Sequence, residues 1–425
     1  MEKEKPETLF YGAKHHFEWI MAVLIGIGVC LTRLATGPSN IVLGMATLIG
    51  VYLWWKNGKK FELSDDAKKY IKICLIFFAA TLVSVVDVDN KMYVFRNFLD
   101  TWIWRFGVFF LLVAFVQKKK YLYRILSCFF LIFTLDCFTA CYQFFILHWH
   151  RGRGFHGDYL DLTAIICMVL AMSAIILLDK HFEKKIKYFA CIGFVGAIAG
   201  LFGCFGRGAF LVSALVAPFY LFFYMRSSKK LAAVIMVVVC LLGGVLISSP
   251  KYTQRLSTTL NTTNNVSNVD RIWAWRSSID MYLDHPVNGV GLNNWSWYYR
   301  NAGYKYAEES QNLPHAHSNY MHLIAETGTI GLIGMAFFYI YSLVVPFRRW
   351  LREKNPCDLI FFTSFLACMV LFGAFQPTYR LSAVIRTMWF ILALVLQLRA
   401  GECKIVCVNR YCMNLLYAPY WGKQR

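Results

Sequence analysis

Long apolar runs, mostly uncharged, alternate with short polar or basic segments along the whole chain. Most runs have the length a helix needs to cross a bilayer, roughly 17–25 residues. Hydropathy places twelve spans, at Glu18–Leu34, Ser39–Trp55, Tyr70–Val86, Phe98–Val116, Leu122–Trp149, Asp158–Leu178, Lys187–Phe205, Gly208–Tyr224, Leu231–Ser248, Thr329–Pro346, Leu359–Phe375 and Leu381–Leu398. The expected class is all-α: one polytopic integral membrane domain over residues 1–425 with about 12 transmembrane helices. One large loop, residues 249–316, separates the ninth and tenth spans, and residues 399–425 form a polar tail. No internal repeat is visible.

The basic residues set the orientation. With twelve spans, Lys56-Asn57-Gly58-Lys59-Lys60, Lys118-Lys119-Lys120, Lys184-Lys185, Lys229-Lys230 and Arg348-Arg349 all fall on one side, together with the tail. Loops rich in Lys and Arg stay in the cytoplasm. Both termini are therefore expected there, and the large loop on the outer side of the membrane. Met1 to His16 is polar, and the first apolar run is too long for a signal peptide and lacks a small-residue cleavage site, so no cleavable leader is expected.

Composition agrees. The 425 residues are 58% hydrophobic and only 16% charged, whereas soluble domains carry about a quarter charged residues. A net charge of +20 raises the question of nucleic acid, but the cations cluster between spans and no aromatic-interleaved basic stripe exists. Nucleic acid is excluded as a partner. Most cysteines lie inside apolar runs, as Cys30, Cys74, Cys128 and Cys240 do, and Cys403, Cys407 and Cys412 lack the paired spacing of a zinc site.

Candidate chemistry gathers on the outer side. At about 65 residues, Pro250 to Pro314 far exceeds an ordinary connection, a length more often functional than idle. Its first half, Ser257 to Asn268, is rich in Thr and Asn and reads as extended or mobile. Asp270 to Tyr299 carries seven aromatics at partly helical spacing, suiting a helix on the membrane surface. Arg207, between Gly206 and Gly208, either snorkels or binds phosphate with its planar fork. Arg271 opens Arg271-Ile-Trp-Ala-Trp-Arg276, in which both arginines either sit on a wet helix face or meet an anion. In Pro314-His315-Ala-His317-Ser318, the His pair lacks the spacing and the nearby carboxylate of a metal site, so no metal is expected. His317 is instead a candidate acid–base group, because histidine titrates near neutrality. Arg151, Arg153, His156, Asp158 and Asp161 lie on an outward turn that either lines an acceptor entrance or is simply solvated. Asp136 and Arg105, deep in two different spans, would be costly unless paired, with each other in the simplest case.

From Asp270 to Gly334 the chain resembles the O-antigen ligase and polymerase superfamily. The resemblance rests on Arg271 with Trp275, His285-Pro286-Val-Asn-Gly289-Val-Gly291, His315-Ala-His317-Ser-Asn-Tyr, and His317-Ser318 followed nine residues later by Gly328-Thr-Ile-Gly331. Leu332 stands where the family usually has Thr or Val. Gly206-Arg207-Gly208-Ala209 resembles the family's second arginine motif, and the layout of spans around one large loop also matches. The resemblance implies an O-antigen ligase, a glycosyltransferase of lipopolysaccharide biosynthesis. It would move O-antigen from undecaprenyl diphosphate to the outer-core sugar of lipid A–core at the periplasmic face, without ATP, metal or cofactor. It implies diphosphate contacts for Arg207 and Arg271 and a catalytic or acceptor-positioning role for His317. His315, Arg276 and Arg153 complete the expected substrate-binding set. Gly328 and Gly331 would allow close helix packing. The nearest alternatives are an O-antigen polymerase using the same donor and, outside enzymes, a transporter of polyprenyl-linked glycans, which should show inverted repeats.

Overall fold

The computed structural model describes residues 7–56, 58, 60–225, 250–257, 265–307 and 312–416. They form helices and connecting loops, with no sheet among the described residues. In chain order the α-helices are α1 (Glu7–Leu31), α2 (Thr36–Lys56), α3 (Asp65–Leu82), α4 (Lys91–Phe98), α5 (Arg105–Phe115), α6 (Lys119–Phe145), α7 (Tyr159–Leu178), α8 (Lys184–Cys204) and α9 (Arg207–Met225). They continue as α10 (Pro250–Ser257), α11 (Val266–Asp284), α12 (Trp295–Asn301), α13 (Asn319–Glu353), α14 (Pro356–Phe365) and α15 (Ser382–Leu416). A π-helical turn, Leu99–Trp104, makes α4 and α5 continuous, and a second, Leu366–Leu371, extends α14.

Among the described residues, eight helices are long and apolar enough to cross a membrane, and the chain is a multi-pass membrane protein. Two expected spans, Glu18–Leu34 and Gly208–Tyr224, fall on shorter apolar stretches, Phe17–Leu31 and Arg207–Pro218. A third, Tyr70–Val86, falls on α3, whose first turn is charged by Asp65, Asp66 and Lys68. The span expected at Leu231–Ser248 lies outside the described residues. The large loop, expected to be partly extended, holds α10, α11 and α12, and α15 runs helically past Arg399 into the expected tail.

Two devices fix the end of the bundle where α7, α9 and α13 begin. The first is a buried ion pair. Asp136 of α6 lies 2.9 Å from Arg33 Nε, both side chains almost fully buried, and its other oxygen accepts the Phe155 N–H at 2.6 Å. Arg33 also donates to the Arg153 carbonyl at 2.8 Å. Gln143 holds the same loop, donating to the Gly154 carbonyl and accepting the Arg153 and Gly154 N–H groups. Gly152 and Gly154 are needed because a Cβ at either would lie 2.0 Å from the Ala140 carbonyl or the Asp136 carboxylate. The expected pairing of Asp136 with Arg105 is therefore corrected. Arg105 donates instead to Asp100 at 2.6 Å and to the Arg380 carbonyl at 2.7 Å. A charge buried at membrane depth takes the partner that packing brings to it, and here α1 reaches Asp136 first.

The second device is a break in α13. Gly328 has φ 60° and ψ −159°, a region open essentially to glycine alone. The break releases the N–H groups of Thr329 and Ile330 and the carbonyls of Ala325 and Glu326, which would otherwise pair with each other. The loop after α11 takes all four. Thr329 and Ile330 donate to Pro286 and Val287, while Val290 and Gly291 donate to Ala325 and Glu326 at 2.9 Å. Gly289, at φ 70°, has no room for a Cβ, which would lie 2.4 Å from the Glu326–Thr327 backbone. Gly328 therefore admits a loop backbone rather than a neighbouring helix, and Gly331 leaves room for the Thr327 hydroxyl of its own helix. α11 and α12 close over the joint through Ala274, Met281, Val290, Trp295, Tyr299 and Ala325. The aromatic segment expected on the membrane surface thus packs on protein along its Ala274 and Met281 face.

Gly328→Ala should lower the thermal unfolding midpoint of the detergent-solubilised protein, at a cost of about 2–4 kcal/mol from backbone strain and overlap with Val287. Gly107→Ala, where nothing approaches within 4 Å, should leave the midpoint within a degree or so or raise it.

Candidate functional site

Three helices begin at one cavity of about 270 Å³. α7 lines it with Tyr159 and Thr163 of its first turn, α9 with Arg207 and Gly208, and α11 with Ser267, Asn268, Arg271 and Trp275. The first N–H groups of a helix lack an intrahelical acceptor, and its dipole is positive there. Arg151, Arg207 and Arg271 add three guanidinium groups, with no carboxylate among the described lining residues. Like charges gathered this way, at helix N-termini, suit an anion with several oxygens, above all a diphosphate.

Local structure places each cation. Phe205, in the left-handed region at φ 55°, turns the chain from α8 into α9 and packs on Phe144 and Tyr252. Arg207 follows, largely buried, with Nη2 3.4 Å from Asn268 Oδ1 of α11. Arg271 lies one helical turn beyond Asn268 on the same helix. The docked Gly152–Gly154 loop carries Arg151, whose guanidinium stacks on the Tyr159 ring at 4.3 Å.

Beside the cavity stands the histidine segment. Ser318 caps α13 by accepting the Met321 N–H at 3.4 Å. His317 sits just before it at φ 51°, an uncommon conformation for a non-glycine residue. Its Nδ1 is 3.0 Å from Gln376 Oε1, and Gln376 Nε2 is 3.3 Å from His315 Nε2. Gln376 also lines the cavity, so one buried amide joins the cation cluster to both histidines. Burial pushes the His317 imidazole down to about 4, assisted by the charge of Arg271. Burial lowers His315 well below the usual histidine range, with His317 and His322 adding to the effect. Both rings are neutral at pH 7.

A rigid frame holds this segment. His322 Nδ1 accepts the Ala316 N–H at 3.2 Å, and its Nε2 lies 3.1 Å from Glu326. Glu326 also receives the Tyr379 hydroxyl at 3.2 Å. Arg380 donates to the Pro314 carbonyl and to Asn293 Oδ1. Asn319 donates to Thr378 at 2.8 Å and to the Met369 carbonyl at 3.0 Å. No cluster of three or more His, Cys, Asp or Glu side chains placed for a metal occurs among the described residues.

Of the expected residues, the structure brings Arg207 and Arg271 together, with His317 and His315 reached through Gln376. It does not bring Arg153 or Arg276 to the cavity. The Arg153 side chain is exposed and borders a neighbouring open groove, to which Arg151 and Tyr159 of the cavity also belong. Arg276 is exposed and stacks on Trp273 at 4.7 Å. Their places belong to Arg151 and Gln376. In Arg151-Gly-Arg153-Gly154 only the docking of the glycines decides which arginine faces inward. Gln376 carried one signal, a polar Gln-Pro-Thr-Tyr-Arg stretch between two apolar spans. Arg380 is engaged in the frame, and Arg386 donates to Ser39 and Asn40.

Replacing Arg151, Arg207 or Arg271 by Ala should each weaken binding of a short-chain polyprenyl diphosphate by about 10- to 100-fold, the worth of one charge-assisted contact. Arg153→Ala and Arg276→Ala should bind within about twofold of the parent, because their replacement leaves the cavity wall intact. Titration of the solubilised protein with the lipid diphosphate checks the ranking.

No curated protein matches the chain. A family model described as O-antigen ligase, Wzy_C, matches residues 192–336, which hold Arg207, Arg271, both histidines and the Gly328 joint. Residues 192–336, which supply Arg207, Arg271 and both histidines but not Arg151 or Gln376, are thus similar to the O-antigen ligase domain.

Proposed function

We propose that the chain is an O-antigen ligase that transfers O-antigen from undecaprenyl diphosphate to the outer-core sugar of lipid A–core on the periplasmic face of the inner membrane. The observation that carries this reading is the cavity where three helix N-termini and three arginines meet, next to a neutral histidine. The family includes polymerases as well as ligases, and both use lipid-linked O-antigen. The Lys and Arg clusters at the opposite helix ends support a periplasmic site under the positive-inside rule, with twelve spans and both termini in the cytoplasm.

The reaction follows from the parts. The arginines and helix ends bind the diphosphate and stabilise the charge that builds on it as the glycosidic bond breaks. The acceptor hydroxyl attacks the anomeric carbon and gives its proton to His317. The sugar–oxygen bond to the acceptor forms while the bond to the diphosphate breaks, and undecaprenyl diphosphate leaves as the anion.

A strain lacking this gene, complemented with the parent or with His317→Ala, tests the reading on a lipopolysaccharide gel. The ligase predicts that His317→Ala leaves the core bare while polymerised O-antigen accumulates on its carrier. Core bearing a single repeat unit would identify a polymerase instead.

The pH profile tests the base. Neutral His317 is the active form, so kcat/KM should be flat through neutrality and fall only as pH drops towards about 4. The bound diphosphate opposes the charge of Arg271 and favours the protonated ring, so the acid limb of kcat should lie above that of kcat/KM. An acid limb unchanged in His317→Gln would remove His317 from the base role.

A further inference from the structure

We propose that the open groove beside the cavity is the subsite for the donor's carbohydrate, holding the sugars nearest the diphosphate on Trp149, Arg153 and Asp158. This inference rests on the reading of the cavity as a lipid-diphosphate site and extends it to the glycan. The groove has a volume of about 680 Å³, against about 270 Å³ for the cavity. Arg151 and Tyr159 line both spaces, so the groove opens directly off the cation cluster. A glycan is bonded to its diphosphate, and its first sugars must lie where space continues from the arginines.

The lining suits a sugar. A pyranose ring has two faces of C–H bonds and a rim of hydroxyls. Its C–H faces stack on the electron-rich face of an aromatic ring, and the Trp149 indole is 44% exposed at the groove. The hydroxyls need both donors and acceptors. Arg153 offers a fork of N–H donors and Asp158 a carboxylate that accepts, and both residues are exposed there. A tryptophan at a membrane surface is ordinary by itself; the cation and carboxylate beside it mark this one.

The platform is rigid although its side chains are exposed. The Trp149 N–H donates to the Gln143 carbonyl at 2.9 Å, and the Gly152 N–H to the Gly203 carbonyl at 2.9 Å. The Arg153 N–H donates to Gln143 Oε1 at 2.7 Å, while its carbonyl accepts from Arg33 at 2.8 Å. Asp158 is fixed as the N-cap of α7. With the backbone set beforehand, a ligand orders only side chains, which lowers the cost of binding.

The groove favours the donor over the acceptor. Gln376, which holds His317, lines the cavity and is not among the groove residues, and the same is true of Leu211, Phe372 and Phe375. The acceptor hydroxyl has to reach His317, and the lipid tail needs an apolar wall. Both are served from the cavity, and the groove takes the glycan.

Binding of undecaprenyl diphosphate to the full-length solubilised protein, with and without an attached O-antigen repeat unit, tests this alongside KM for donor and for lipid A–core. Trp149→Ala should weaken the glycosylated form roughly 10-fold, as truncation of a central aromatic contact does. Trp149→Phe keeps an aromatic face and should lie closer to the parent. Arg153→Ala and Asp158→Asn should each weaken it about 3- to 10-fold, Asn preserving the cap of α7. All four should bind the sugar-free form within about twofold of the parent and leave KM for lipid A–core unchanged. Unfolding midpoints matching the parent ensure that each variant is read as folded protein.

Equal losses for the two forms would overturn the inference, since the loop would then act only by shaping the cation cluster. So would parental binding of the glycosylated form in Trp149→Ala and Arg153→Ala. A raised KM for lipid A–core with donor binding intact would overturn it too, by giving the groove to the acceptor. A parent that binds neither form is a different failure, that of the diphosphate reading, and the groove proposal falls with it.

Discussion

A helix broken in its middle must find new partners for four backbone groups, and the whole outer end of this protein is organised around that requirement. At Gly328 the carbonyls of Ala325 and Glu326 and the N–H groups of Thr329 and Ile330 part company, and the His285–Gly291 loop reconnects them. An unpaired backbone group in an apolar surrounding costs several kcal/mol, so loop and helix cannot move independently. The loop fixes where α11 ends. The helix fixes the turn carrying Asn319, His322 and Glu326. Arg271 on one element and His317 on the other are thereby set relative to each other by main-chain bonds, which are stiffer than any side-chain contact at the site.

The site accepts local penalties that this frame sustains. Phe205 and His317 hold left-handed backbone without being glycine, three guanidinium groups share one cavity, and two half-buried histidines carry no charge. These departures lie at or beside the cavity, and folded proteins tend to keep such conflicts at functional sites. Away from the cavity the conflicts are resolved. Arg33 meets Asp136, Arg349 meets Asp66 through both nitrogens, and Arg399 meets Glu353 and Asp358.

This division explains what could be read from the chain. Spans and basic clusters are properties of single segments, and apolar runs such as Asp158–Leu178 emerge as helices almost at the expected residues. Arg207 and Arg271 stood out by the glycines and aromatics that flank them, and His317 as a histidine, able to titrate near neutrality. Facts that depend on pairs of distant segments stayed hidden. Asp136 takes Arg33 and not Arg105 because α1, not α5, packs against it at that depth. Arg151 rather than Arg153 faces the cavity because Gly152 and Gly154 fit against α6 in only one register. Gln376 lies about 60 residues from the histidines it joins, and no local periodicity could announce it. The glycines at 289 and 328 were legible as glycines, but their common purpose, two halves of one backbone joint, exists only in three dimensions.

The cation cluster and the neutral histidine are one electrostatic arrangement rather than two. Arg271 contributes to the anion cavity and also disfavours protonation of His317. In the proposed reaction, an empty site therefore holds His317 as a weak base, because any proton it took would face the Arg271 guanidinium. A diphosphate in the cavity cancels that field, and only then does the imidazole gain the basicity to draw a proton from the acceptor hydroxyl. Base strength is thus coupled to donor occupancy through a single side chain. The coupling needs no conformational change, only that Arg271 and His317 keep their separation, and the joint at Gly328 is the part of the fold that maintains it.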